Sequence, residues 1–360
     1  MKQYQIFFDF LRFCIGSESE IPSSLKEADW KELYRIAQKQ CLVGILFEGI
    51  QKLPPAEVGM SKDLLLQWML QCQMLEKANV RLNDAAIQVS EWFRKKGFRT
   101  CILKGQGNAL LYPNGLHRTP GDIDIWVEGG DKRVISFVRS ISPHEKACYH
   151  HIEFPSYKGI DIEVHYRPSF LLCFWHNRKL QEYYGMVKEE QFSHRVMLGE
   201  QGEIAIPTVE FNLIFQLTHI YAHLMNEGIG LRQLLDYYYV LISDDLLLIR
   251  DRVQKELKEL GLWKFAGAIM YIMQEVFGMP ASRLIVPPNE KYGRFVLNEV
   301  LEAGNFGKHD ERNRFGRSKL GHNLQRVYRD VRLVRYFPAE AMSEPFFRVW
   351  HFFWRFKHRR

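Results

Sequence analysis

Between Phe98 and Arg167 the apolar residues stop recurring every three or four positions and begin to alternate. The spacing on either side of that stretch is helical, so a small sheet has to be held inside a mostly helical molecule. "RTCIL" (99–103) is short, apolar and partly β-branched, and glycines follow it in "KGQG". "DIDIWV" (122–127) alternates, "DKRVISFVRSI" (131–141) has helical spacing, and "GIDIEVHY" (159–166) alternates again. An α/β unit of about seventy residues is too small for a full doubly wound domain.

The hundred residues before it read as helices. "DLLLQWMLQCQMLEKANVRLNDAAIQVSEWFRKKGF" sets Leu75, Ala78, Leu82, Ala86, Val89 and Phe93 on one face of a long helix. Gly97 suits the position just past its C-terminus. After Pro168 helical spacing returns in "TVEFNLIFQLTHIYAHLMNEGIGLRQLLDYYYVLI" and "LWKFAGAIMYIMQEVFG". The expected organisation is a helical region 1–95, an α/β core 96–168, a helical domain 169–301, and a basic Gly-rich loop with an aromatic helical tail 302–360.

At 360 residues the chain accommodates one large domain or two to three smaller ones. No apolar run is long enough to span a bilayer. The opening "MKQYQIFFDFLRFCIG" is broken by Asp9 and lacks a small-residue cleavage site, so no signal peptide is expected. Six scattered cysteines without a C-x-x-C pair fit reduced thiols and a cytoplasmic location.

In "DIDIW", Asp122 and Asp124 stand on one face of a strand, because residues i and i+2 point the same way. Two like charges that close require a cation between them. In "GIDIEVHYRP", Asp161, Glu163 and His165 share a face by the same period. If the two strands pair, a third carboxylate joins the first two in an oxygen-rich cage suited to Mg²⁺. Two such ions roughly 3.5–4 Å apart activate an attacking oxygen and neutralise a leaving pyrophosphate.

On these residues the chain resembles the DNA polymerase β-like nucleotidyltransferase superfamily, and more closely the bacterial uncharacterised nucleotidyltransferase family. The segments that carry the resemblance are "ILKGQGNALLYPNGLHRTPGDIDIWV" (102–127), "IEVHYRP" (162–168), "LTHIYAHLMNEGIGLRQLLD" (217–236) and "VRLVRYFPAEAM" in the tail. The fold it implies is α+β: a small nucleotidyltransferase-type mixed β-sheet core with helices, flanked by N-terminal and C-terminal helical regions. The activity it implies is Mg²⁺- or Mn²⁺-dependent transfer of a nucleoside monophosphate from an NTP to an unknown acceptor, releasing pyrophosphate, with two ions present when NTP is bound. Asp122 and Asp124 resemble the paired metal ligands. Glu163 stands where the family has its third carboxylate, near the acceptor, with Asp161 the competing candidate. Gly105 resembles the glycine of the turn that lets backbone amides approach a triphosphate. The nucleotide-binding residues the resemblance implies are Lys104, Gly105, Gln106 and Arg118; Gln106 replaces the small hydroxyl residue usual after the glycine, which leaves Lys104 or Arg118 to supply compensating charge. His165 fits a partner that orients Glu163 rather than a direct ligand.

Elsewhere the motifs are weaker. His219 and His223 in "HIYAH" have the i, i+4 spacing of zinc sites, but Ile220 stands where H-E-x-x-H needs glutamate. A helix interface or a polar cleft suits the pair better. Between Glu311 and Arg360 there are thirteen Lys and Arg against four Asp and Glu, so the net charge of +7 belongs to the tail. A helix there gathers Arg348, His351, Arg355 and Arg359 into a narrow basic stripe, with Phe346, Phe347, Val349, Trp350, Phe353, Trp354 and Phe356 around it. Burial against the helical domain is the expected arrangement; insertion at an anionic membrane surface is the other. Nucleic-acid contact has no accompanying motif. The rival to an enzyme is a catalytically silent adaptor that docks on a membrane or protein partner through this tail.

Overall fold

The structure, a computed structural model, describes residues 2–55, 58–200, 202–308, 310, 312 and 319–358. Part of the Gly-rich loop, and Arg359 of the basic stripe, lie outside the described residues. Four helices lead in: α1 (Lys2–Ile15), α2 (Trp30–Gln40), α3 (Val43–Lys52) and α4 (Lys62–Lys95). Ser61 caps α4 by accepting from the Leu64 amide at 3.3 Å. The helix stops where Gly97 takes φ +80°, the left-handed C-terminal turn its position implied.

The chain then builds β1 (Thr100–Ile102), one helical turn α5 (Gln106–Ala109), β2 (Ile123–Val127), α6 (Gly130–Ile141), β3 (His151–Tyr157) and β4 (Ile160–His165). The sheet order is β1-β2-β4-β3, antiparallel at both edges and parallel between β2 and β4. A parallel pair needs a crossover, and α6 with β3 provides it. Ile123, Ile125, Val127, Ile162 and Val164 bury one face of the sheet with α4 and α6, through side chains such as Phe93 and Val138. The opposite face carries Asp124, Trp126 and His165 toward the C-terminal helices, and the Trp126 ring lies 4.7 Å from Phe192 and 5.8 Å from Phe211.

Beyond the sheet come α7 (Phe174–Ser193), a hairpin of β5 (Arg195–Leu198) and β6 (Gly202–Ala205), then α8 (Val209–Asn226), α9 (Leu231–Leu241), α10 (Leu246–Glu259), α11 (Trp263–Phe277) and α12 (Glu290–Ala303). The helical stretch after Thr208 breaks between α8 and α9, where Gly228 adopts φ +105°. Leading and trailing helices share one apolar core: Phe7 and Phe10 of α1 belong with Phe215 of α8 and Phe277 of α11. The architecture is α+β, a small mixed sheet between extensive helical regions.

The last two helices, α13 (Lys319–Val334) and α14 (Pro338–Lys357), fold back on one another. Burial of the aromatic tail holds for one side of α14 only. Ala341 is buried and Phe347 packs against the helical core, whereas Phe346, Val349, Phe353 and Phe356 are exposed. No helix among the described residues is long and apolar enough to cross a membrane. All six cysteines are free thiols.

Candidate functional site

The segment before β2 is clamped from three sides. Arg118 Nε and Nη2 each donate to Asp236 of α9 at 2.7 Å, and both residues are buried. Asn79 of α4 donates to the Arg118 carbonyl at 2.8 Å, and Thr119 Oγ1 donates to the Cys41 carbonyl at 2.8 Å. Arg232 Nη1 donates to the carbonyls of Thr119 and Pro120 at 3.2 and 3.3 Å. A loop held this way delivers Asp122, one residue outside the strand, in a fixed position.

The parallel register pairs Asp124 of β2 with Glu163 of β4. Ligand oxygens of Asp122, Asp124 and Glu163 all lie within 4.8 Å of one another. Among the described residues Asp161 belongs to no such group, and it is exposed at the rim. Two cations stand among the acids. Lys104, just beyond β1, places Nζ 3.1 Å from Asp124 Oδ2, and His165 Nε2 is 3.0 Å from Asp124 Oδ1 and 3.4 Å from Glu163 Oε2.

These contacts set the charges. Burial works against ionising Asp124, but Lys104 and His165 hold its carboxyl well below the usual range. Repulsion from Asp124, then burial, raises Asp122. Burial disfavours the His165 imidazolium, yet the hydrogen bonds it donates to Asp124 and Glu163 lift its pKa to about 9, so it is charged at neutral pH. Burial opposes the Lys104 charge as well, and the three acids outweigh it. His165 thus touches both Asp124 and Glu163.

The acids open into a cleft of about 820 Å³. His219 and His223 line it, with His219 Nε2 3.0 Å from Lys104 Nζ and 2.9 Å from His223 Nε2. The i, i+4 pair therefore faces a polar cleft. Burial, then the neighbouring Lys104 charge, keeps His219 neutral, an acceptor for the ammonium. His151 of β3 reaches Glu163 Oε2 at 3.2 Å, and burial then the His165 charge depress it to about 4. Across the cleft stand Arg232, Lys308, Arg326 and Arg348.

Two residues expected beside a nucleotide sit elsewhere. Arg118 does not line the cleft; its guanidinium is committed to Asp236. Gln106 is buried, hydrogen-bonds Asn83, and lines a separate cavity of about 530 Å³. Gly105 does occupy a turn only glycine takes readily, at φ +62° and ψ −107°. Reading the sequence missed His150, His151, Lys308 and Arg326 as cleft residues. The adjacent histidines of "YHHIEF" were the available signal, but His151 opens a strand whose Pro155 hides it.

The donor set fits a hard divalent cation. All three candidate ligands are carboxylates, and Asp124 Oδ2 is buried with no hydrogen bond among the described residues, 3.1 Å from the Lys104 ammonium.

No curated protein matches the chain. Among solved structures, an antigenic nucleotidyltransferase-like protein from Paracoccidioides brasiliensis is similar at 12% identity and a TM-score of 0.29, over 50% of this chain and 92% of that one. A family profile described as "Uncharacterised nucleotidyltransferase" matches residues 26–278. Matched over well more than half its length, the chain belongs to that family of uncharacterised nucleotidyltransferases.

Proposed function

We propose that this protein transfers a nucleoside monophosphate from an NTP to an acceptor hydroxyl or similar group, with release of pyrophosphate. The observation that carries the reading is the convergence of Asp122, Asp124 and Glu163 across the parallel strand pair. These three would hold magnesium or manganese ions, which supply Lewis-acid neutralisation of the phosphates when bound. Glu163, half-buried at the mouth of the acid cluster, accepts the proton of the attacking group. His165 orients Glu163 and Asp124 at once. Lys104, between the acids and His219, offers a positive charge to the phosphates. The turn at Gly105 brings backbone amides close without a Cβ in the way. Arg232 fixes the loop that carries Asp122.

The test is incubation of the purified protein with α-phosphate-labelled ATP, GTP, CTP and UTP in a native lysate, followed by identification of whatever becomes labelled. Metal-dependent labelling by wild type and none by Asp124→Asn is expected. Equal labelling by the variant, folded as wild type, overturns the assignment.

A further inference from the structure

The side of α14 turned away from the cleft is apolar and uncovered by any described residue. Met342, Phe346, Val349, Phe353 and Phe356 recur three or four apart along it, with Phe346 78% and Phe356 68% exposed. The neighbouring helix α13 adds Leu324, Val327, Val331 and Val334 along its own outer side, and Val331 is 65% exposed. Monomeric proteins seldom leave so continuous an apolar surface to water unless it meets something.

The charges say what it meets. The described part of the hairpin has three carboxylates, Asp330, Glu340 and Glu344, and none is exposed. Glu340 turns inward to accept from the amides of Leu172 and Cys173 at 2.6 and 3.2 Å, and Glu344 is buried. The exposed charged residues on the apolar side are cations: Arg335, four positions after Val331, and Lys357, four after Phe353, whereas Arg355, four after His351, shares the side of α14 that faces the cleft. Trp350 and Tyr328, both amphipathic rings, are exposed on the same two helices. A second copy of this surface would set like charges opposite one another, which disfavours self-association. Aromatic and aliphatic side chains with exposed cations and, among the described residues of the hairpin, no exposed carboxylate match a bilayer whose headgroups are anionic.

We propose that the α13–α14 hairpin is a membrane-docking surface that lies along a bilayer containing anionic lipid, with Phe346, Val349, Phe353 and Phe356 among the acyl boundary and the flanking Arg and Lys on the phosphates. The opposite side of α14 sends Phe347, Arg348 and His351 into the cleft, so docking sets the cleft beside the lipid. This surface stands independently of the nucleotidyl-transfer reading.

Co-sedimentation of the full chain with vesicles tests it, using phosphatidylcholine alone and phosphatidylcholine with phosphatidylglycerol. Binding to the anionic vesicles, at least tenfold weaker to the neutral ones and weakened by added salt, is expected. The double variants Phe346→Ser/Phe353→Ser and Arg335→Gln/Lys357→Gln should each lose at least tenfold in binding. All four positions are exposed, so an unchanged thermal midpoint confirms the fold. Wild type that ignores anionic vesicles, or double variants that bind as well as wild type, overturn the proposal. So does a concentration-dependent dimer abolished by Phe346→Ser/Phe353→Ser, because a second copy would then be the occupant.

Discussion

Arg118 and Asp236 are the residues on which the geometry of the acid cluster leans. Their side chains are 3% and 7% exposed, and Tyr112 adds a hydroxyl donated to Asp236 at 2.7 Å. Removing one partner of such a pair leaves a buried, uncompensated charge. Asp236→Ala is therefore expected to lower unfolding free energy by about 3–5 kcal/mol, measured by urea denaturation. A second residue-scale expectation concerns pH. His117 lies between Glu48 at 3.0 Å and Glu76 at 2.8 Å, and the bond to Glu48, against burial, raises its pKa. A folded-state pKa above the unfolded one means the stabilisation is complete below about pH 6.5 and disappears as pH rises through the folded value. The stability difference between wild type and His117→Gln should therefore shrink on the alkaline side. A third expectation separates the two candidate acids. Glu163→Gln should cut nucleotide transfer on the order of 10²–10⁴-fold, whereas Asp161→Asn, at the rim, should retain it within a few-fold when initial rates are compared.

At the scale of elements, the turn after β1 matters most. Gly105 occupies a backbone conformation closed to side chains, although a Cβ there would meet only the Asp122 carbonyl, at 3.7 Å. Gly105→Ala should thus cost about 1–3 kcal/mol through conformation rather than collision, read as a lowered thermal midpoint. The elements that position the acids were legible in the sequence because period decided them. Strict alternation marks β2 and β4, and the same alternation puts Asp122 with Asp124, and Glu163 with His165. The stripe from Leu82 to Phe93 marks the half of α4 that covers the sheet. What escaped has a physical cause in each case. β3 contains Pro155 and a register shift between Phe154 and Tyr157, so it neither alternates nor reads as a strand. The hairpin of β5 and β6 is only four residues a side, shorter than a periodic signal needs. Arg118 looked ready for phosphate because its partner Asp236 lies 118 positions away in sequence.

Taken whole, the molecule opposes an acidic floor to a basic wall. The floor comes from β2 and β4, while Lys308, Arg326 and Arg348 come from beyond residue 278, where the family match ends. α14 looks both ways, with Phe347, Arg348 and His351 toward the cleft and Phe346, Val349, Phe353 and Phe356 away from it, so the burial its composition implied holds for one side only. If the wall holds the phosphates, Arg326→Gln/Arg348→Gln should weaken NTP binding about tenfold or more, a loss of about 1.4 kcal/mol, while leaving the Mn²⁺ affinity measured without NTP unchanged. The most direct test of the converging acids is Mn²⁺ titration followed by electron paramagnetic resonance, with and without an NTP. Wild type should bind Mn²⁺ far more tightly with NTP present, approaching two ions per chain, and Asp124→Asn should lose that gain while keeping its fold. NTP-independent binding, or an Asp124→Asn titration indistinguishable from wild type, would contradict the account.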